Sequence, residues 1–485
     1  MRILITGATG YVGGRLVERL LEQDAHQLRV LVRDAGRARA RAWASQVEIV
    51  EGDLLDPDSL RPALEGIDAA YYLVHSMTAG GHFAETDRKA AHAFADAAGH
   101  LRQVIYLGGI LPPAVRGRAN SEHLSSRAEV GEILRERLPT TELRAGPIIG
   151  GGSASFEMVR YLTERLPAMI APKWILNEVQ PIAIRDTLSY LVAALGRSDA
   201  LGVIDIGAEP LTFKAMMQRY AAVRGLPRII IPVPVLAPRL AALWVGFVTP
   251  IPNALAVPLV EGVVRPVVGD TSRARALFPE IVPISYDEAI TRALARTEAG
   301  QVATRWSVAG GPSVPRVSLE DKEGIVRDVR SRLVDASPER VFKAFSSLGG
   351  ERGWRVWGWA WELRGAVDQL LGGPGLRRGR RHPELLYPGE ALDFWRVEEY
   401  LPGKLLRLRA EMKVPGRAWL QFEAIPEDGR TRLVQTAFFA PTGFFGWLYW
   451  YSIYPFHAKI FSDMVDAVAR DATEIEPAHP APNAA

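Results

Sequence analysis

The chain has no cysteine in 485 residues. That excludes disulfides, thiolate metal centres and a cysteine nucleophile, and it fits a reducing, cytoplasmic compartment. An excess of charge of either sign is also lacking: 58 Lys and Arg against 55 Asp and Glu leave a formal net charge of only +3. No dense basic stripe interleaved with aromatics accompanies that balance, which argues against a nucleic-acid partner. Long apolar runs are scarce. Ile3–Ile5 is too short for a secretory signal and runs straight into glycines. One uncharged stretch, Leu240–Val260, is long enough to span a bilayer, but Pro250, Pro252 and Pro258 interrupt it. Two short buried or interfacial helices are expected there, leaving peripheral membrane contact open. His382 and His457 have no companions at metal-ligand spacing, so no metal site is expected.

What the chain does have is glycine where backbone must come close to something. The length suggests two domains, and the first opens with GATGYVGG at Gly7–Gly14. Arg2–Thr6 reads as a strand buried on both faces, and Val12, Leu16, Val17, Leu20 and Leu21 recur at helical spacing. Gly7, Gly10 and Gly13 therefore sit at a strand-to-helix turn, with Thr9, Tyr11 and Val12 between them. There the first glycine permits the tight turn and the second admits a pyrophosphate. The third lets helix and strand pack closely, and the helix N-terminus offers N–H donors to phosphate. A dinucleotide site follows.

The second strand, Leu28–Val32, ends in Arg33–Asp34. A carboxylate at this point holds a ribose 2′-hydroxyl, whereas an arginine pairs with a 2′-phosphate. Arg33 favours NADP, with NAD the alternative. Arg37, Arg39 and Arg41 in the following basic run read mostly as a solvated helix face. Further strands at Val47–Val50, Ile67–Val74 and Val104–Gly108 alternate with helical patterns, including Phe83–Ala98. This specifies a doubly wound parallel α/β sheet, with ligands in a crevice beyond the strand carboxyl ends. Gly7–Gly13, Arg33, Asp53 and the loop at Val74–His75 fall along it.

TGATGYVGG at Thr6–Gly14, with Gly52–Asp53 and RAGPIIGGG at Arg144–Gly152, resembles the extended and atypical, epimerase-like branch of the short-chain dehydrogenase/reductase superfamily over about the first three hundred residues. The resemblance implies that Asp53 and Leu54 contact the adenine. It places Leu73, Val74 and His75 at the cofactor ribose, and Pro147 and Ile148 near the nicotinamide. Active members use Tyr-x-x-x-Lys on the helix after the fifth strand, with a Ser at that strand's end. Here the matching segment is Ser121–Leu134, with His123 and Arg127 at the i, i+4 positions, and the strand ends in Gly108–Gly109. An imidazole can donate a proton near neutral pH, and a nearby guanidinium lowers its pKa. His123 and Arg127 are thus the candidate catalytic pair; a surface helix face without chemistry fits the same residues.

The remainder to about residue 298 reads as a substrate lobe. Arg160, Lys173, Trp174 and Arg185 are candidate substrate contacts, and the Pro-rich apolar stretch Ile229–Val268 suggests a lipophilic substrate. Residues 299–325 read as a linker. From 326 to 475 the pattern changes to a strand (Val326–Val334), a Ser-capped helix (Ser337–Phe345), four alternating runs and a long aromatic helical segment, Thr442–Ala469. The runs are Leu392–Tyr400, Leu405–Met412, Ala418–Ile425 and Leu433–Phe439, joined by turn residues such as Pro402–Gly403 and Asp428–Gly429. These elements resemble the START-like helix-grip fold, an antiparallel sheet around a long C-terminal helix. The pieces Gly353–Gly365, Gly372–Arg381, Leu392–Glu398 and Leu448–His457 are similar to a domain of unknown function found behind epimerase-like domains. Eight of the twelve tryptophans fall in this last third, which suits an aromatic-lined pocket for a hydrophobic ligand or a packed core. The GLRRGRR stretch, Gly375–Arg381, reads as a solvated basic turn and the tail at 476–485 as disordered.

Three functions fit these features. One is an NADP-dependent oxidoreductase acting on a lipophilic or quinone-like carbonyl. The others are an epimerase-like isomerase and a dinucleotide-binding sensor or assembly scaffold without chemistry.

Overall fold

The computed structural model describes residues 1–39, 41–75, 83–113, 121–197, 200–234, 245, 249, 251, 253–298, 304, 326–370, 373–375, 379–380, 386–427, 429–441 and 443–474. Most of the expected linker, His382, most of 240–252, the middle of the GLRRGRR stretch and the 476–485 tail lie outside the described residues. The chain divides into two compact units, Met1–Ser313 and Val314–Ala485.

In the first unit, β1 (Arg2–Thr6), α1 (Tyr11–Leu21), β2 (Gln27–Val32), α2 (Ala35–Arg39), β3 (Glu48–Glu51) and α3 (Pro57–Leu64) alternate along the chain. They are followed by β4 (Ala69–Tyr72), α4 (Phe83–Ala97), β5 (Gln103–Gly109), α5 (Glu122–Arg137), β6 (Thr140–Ala145) and, after an insertion, β7 (Gly202–Ile206). The sheet order is β7-β6-β5-β4-β1-β2-β3 with every neighbour parallel. The two-residue period of a strand sorts its side chains into two helix layers. Ile3, Ile5, Tyr71 and Ile105 pack toward α1, while Leu4, Ala70, Tyr72 and Val104 pack toward α3, α4 and α5. This two-sided burial makes the strands read as unbroken apolar runs. The strand order reverses between β1 and β4, and the crevice opens there.

The insertion forms the lobe beside that crevice. The lobe is completed by segments after β7: it contains α6 (Ala154–Arg165), α8 (Phe213–Val223), α9 (Asn253–Val263) and α10 (Tyr286–Glu298), while α7 (Ile184–Ala194) packs beside α1 on the sheet. Its core joins Phe156, Val159, Met216, Tyr220, Val260 and Ile290. The expected helix in Leu240–Val260 is thus seen in part as α9, which contains Pro258. Among the described residues no helix is long and apolar enough to cross a membrane. Thr304, inside the segment expected as linker, is buried and docked on the first unit: it accepts from Arg15 Nε at 2.9 Å and donates to the Tyr11 carbonyl at 2.8 Å.

The second unit comprises β8 (Val326–Val334), α11 (Pro338–Ser346), α12 (Gly358–Leu370), β9 (Ala391–Leu392), β10 (Trp395–Leu401), β11 (Leu405–Ala410), β12 (Gly416–Glu427), β13 (Arg430–Pro441) and α13 (Gly443–Glu474). Its sheet runs β8-β13-β12-β11-β10-β9, antiparallel throughout. Leu406 and Leu408 face the core shared with Phe345 of α11 and Met464 and Val468 of α13. Arg407 and Arg409 face the other way, toward Glu399 and Glu398 across the strand pair. The alternation in the sequence is this half-buried meander. Helix α12 replaces what read as a motif only.

Candidate functional site

The turn between β1 and α1 is built by sterics. Gly7 has φ +72°, a region costly for a side chain. A Cβ on Gly13 would sit 2.2 Å from the Gly7 carbonyl oxygen. Gly10 caps α1 without a side-chain hydrogen bond, and no acidic residue lies in the first turn. The N-terminal amides of α1 are therefore left for an anion.

A cavity of about 370 Å³ opens from this turn. Gly7, Gly10, Tyr11, Val12, Gly13, Leu73, Val74, His75, Pro147, His123 and Arg127 all line it. Its far wall is apolar and comes from the lobe: Met158, Val179, Phe213, Leu255, Leu259 and Val263. Thr9, Arg33, Asp34, Asp53 and Leu54 do not line this cavity. Thr9 accepts a hydrogen bond at 3.3 Å from Arg41, so Arg41 folds back on the glycine turn instead of joining a solvated face. Arg33 is exposed just past β2. The Asp53 carboxylate accepts from the Leu55 amide at 3.0 Å, and the Leu54 side chain is buried in the core. Arg160 pairs with Glu157 and Glu164; neither it nor Lys173, Trp174 or Arg185 borders the cavity.

At the cavity's polar end three elements meet. His75 follows β4, Asp87 lies on α4 and His123 lies in the first turn of α5. His75 Nδ1 is 2.9 Å from Asp87 Oδ2, and His75 Nε2 is 3.1 Å from His123 Nδ1. The Ser126 hydroxyl donates to the same Asp87 oxygen at 3.2 Å. Asp87 and Ser126 were not singled out from sequence. A signal was present: Asp87 falls on the buried stripe of α4 between Phe83 and Ala90, Ala91 and Phe94, where a carboxylate needs partners. Arg127 does not reach for substrate space alone, because its guanidinium donates to the Leu107 carbonyl on β5. Among the described residues no group of three such side chains could hold a metal ion.

Burial, first of all, pushes both imidazoles below the ordinary value of 6.5. The hydrogen bond to Asp87 opposes this at His75, while Arg127 adds to it at both rings. A depressed imidazole pKa means the unfolded chain takes up protons before the folded one. Stability is therefore complete above about pH 6.5 and falls as acidification proceeds toward the lowered folded values. We expect the urea midpoint of the first unit to drop between about pH 7.5 and about pH 5.5. The slope should flatten when both histidines are replaced by Gln; an unchanged slope would remove these rings as the cause.

A Cβ on Gly108 would lie 2.8 Å from Glu142 Oε1, and one on Gly131 would lie 2.5 Å from Oε2. The Glu142 carboxylate is buried and paired with Arg135 and Arg144, whereas a Cβ on Gly109, the last residue of β5, would meet nothing closer than Leu124 Cδ2 at 3.4 Å. Tyr11 offers another polar group: its hydroxyl is buried without a hydrogen-bond partner among the described residues, and burial pushes its pKa up to about 12. It is a neutral phenol at the cavity wall.

A parallel sheet with a phosphate-sized glycine turn at its switch point defines a Rossmann-type dinucleotide-binding protein. Residues 7–125 match the NAD(P)H-binding family model, and residues 324–464 match a family described as a protein of unknown function (DUF2867). The chain is 30% identical over 238 residues to a ceramide reductase of Caulobacter vibrioides, a match covering 47% of this chain and 72% of that protein. It belongs, through its first unit, to the NAD(P)-binding short-chain dehydrogenase/reductase superfamily. It is also 30% identical over 107 residues to a Mycobacterium tuberculosis 3β-hydroxysteroid dehydrogenase/Δ5→4-isomerase, covering 22% of this chain but only 28% of that protein. Among solved structures, a Bacillus cereus UDP-glucuronic acid 4-epimerase in complex with UDP-glucuronic acid and NAD aligns at a TM-score of 0.46 and 18% identity. That alignment covers 61% of this chain and 98% of that one.

Proposed function

We propose that the chain is an NAD(P)H-dependent reductase of an apolar carbonyl compound, with His123 as proton donor and NADPH as the preferred dinucleotide. The observation that carries this reading is the single cavity joining the glycine turn, the His123 ring and an apolar lobe wall. The α1 amides and Gly7–Gly13 would hold the pyrophosphate, Leu73–His75 the ribose beyond it, and Pro147 the nicotinamide end. Bound there, the dinucleotide supplies a hydride. Met158, Phe213, Leu255 and Leu259 suit a lipophilic substrate and exclude water from the reacting carbon. The relative that acts on ceramide supports the same substrate class.

Arg33, exposed just past β2, would be the residue to pair with an adenosine 2′-phosphate. Calorimetric titration should show NADPH binding at least about tenfold more tightly than NADH, and Arg33→Glu should erase that gap. Equal affinities in the native protein would withdraw the NADPH preference and leave the fold untouched.

A second reading, a dinucleotide-binding scaffold without chemistry, is favoured by one observation: β5 ends in Gly108–Gly109, with no serine where the superfamily's active members carry one. Turnover of any quinone or ketone with bound NADPH would exclude it. For the second unit we propose an apolar ligand among Trp395, Trp419, Trp450 and Phe461, which line a cavity of about 60 Å³.

A further inference from the structure

His123 does not stand alone at the polar end of the cavity. Its Nδ1 faces His75 Nε2 at 3.1 Å, and His75 Nδ1 faces Asp87 Oδ2 at 2.9 Å. His123 Nε2 has no hydrogen-bond partner among the described residues and is the ring nitrogen left for the cavity. Asp87 is almost wholly buried, and Ser126 fixes its reactive oxygen at 3.2 Å. The three groups come from α4, from the loop after β4 and from α5, so only the assembled fold lines them up.

We propose that Asp87 and His75 form with His123 a one-proton relay that loads a proton onto the ring nitrogen facing the cavity while holding the charge on His75; this rests on the reductase reading above. The proton count closes. In the unloaded state Asp87 is ionised and accepts Nδ1–H of His75. His75 Nε2 then accepts Nδ1–H of His123, whose Nε2 is bare. One proton added at His123 Nε2 sends the Nδ1 proton of His123 onto His75 Nε2. The charge now rests on a His75 imidazolium against the Asp87 carboxylate, and a neutral His123 presents Nε2–H to the cavity. When the substrate carbonyl becomes an alkoxide, the Nε2–H bond breaks and the proton goes to the alkoxide oxygen. His123 Nδ1 takes its proton back from His75 Nε2. No charge is stranded, and one proton from water resets the chain.

The surrounding charges are consistent with this order. Among the described residues Arg127 is the cation that faces both rings and opposes a proton on either; Asp87 favours one on His75. The Tyr72 and Tyr106 hydroxyls also face Asp87, and burial keeps both neutral. Asp87 is thus a positioning residue that places the stored charge one ring away from the substrate, leaving the donor ring neutral.

The test is the ¹⁵N spectrum of histidine-labelled, full-length protein without cofactor, followed through an acid titration. In the native protein both rings should show a protonated Nδ1 and a bare Nε2 at the basic end, and both should move together in one step. Asp87→Asn should shift that step at least about tenfold in proton concentration toward acid. The acid limb of the kcat profile with a quinone should move with it, and the NADPH Kd should stay within about twofold. Rings that titrate independently, or a His75 protonated at Nε2, would overturn the relay. If Asp87→Asn does not fold, the native spectrum decides the tautomers by itself, and Ser126→Ala tests the coupling. A native protein that fails to bind NADPH would remove the reductase reading while the tautomers still judged the relay. Bound NADPH with the wrong tautomers would remove the relay alone.

Discussion

Gly13→Ala should abolish dinucleotide binding and weaken the first unit together. The added Cβ would lie 2.2 Å from the Gly7 carbonyl oxygen, 2.8 Å from its carbonyl carbon and 3.1 Å from Ala8 Cα. All three are backbone atoms, so no side chain can swing aside. Helix α1 must back away from β1, which opens the packing of Leu16, Val17 and Leu20 and moves the amides that face the phosphates. Overpacking of this kind costs about 1–3 kcal/mol. Loss of the phosphate geometry should lower NADPH affinity by about a hundredfold or more, equivalent to about 2.7 kcal/mol. Gly10→Ala separates the two effects. Its Cβ would meet only the Gly7 oxygen, at 3.0 Å, so stability should hold while the approach to the pyrophosphate is filled. Urea midpoints and calorimetry on both variants check the pair. Gly13→Ala that still binds NADPH within about threefold of the native protein would discard this account of the turn.

His123→Ala should lower kcat on a quinone or ketone panel by about 10²–10⁴, the range a positioned acid supplies, with the NADPH Kd little changed. The ring reaches the cavity through Nε2, and its removal leaves α1 and the glycine turn intact. It also leaves His75 Nε2 without its neighbour, so the acid limb of the pH profile should disappear along with the rate. Unchanged turnover would transfer attention to the Tyr11 hydroxyl, the other proton donor buried at the cavity wall.

Much of the fold could be read from residue order. Alternating apolar runs and amphipathic helices, with Gly7, Gly10 and Gly13 at the first junction, specify the parallel sheet because burial on both faces and helical spacing are local patterns. The meander of the second unit was readable for the same reason: Leu406 and Leu408 alternate with Arg407 and Arg409 over single residues. Boundaries shifted by one to five residues where element ends depend on contacts outside the repeating pattern, as with the long C-terminal helix, expected over Thr442–Ala469 and found over Gly443–Glu474. Arg41 was read as solvated because its partner, the Thr9 carbonyl, lies on another element.

By itself the sequence determined the dinucleotide turn, the parallel sheet, the antiparallel second sheet, and the absence of the superfamily's tyrosine, lysine and serine. Each is written in residue types at fixed short spacings, where sterics and periodicity act within one element. The tertiary structure alone decided that the Glu142 carboxylate is buried against Gly108 and Gly131 and that Arg127 is tied to the Leu107 carbonyl. It also decided that Asp87, His75 and His123, distant in sequence, meet within about one hydrogen bond of each other. Those outcomes depend on how α4 and α5 lean on the sheet, and such geometry is set by packing between elements far apart in the chain.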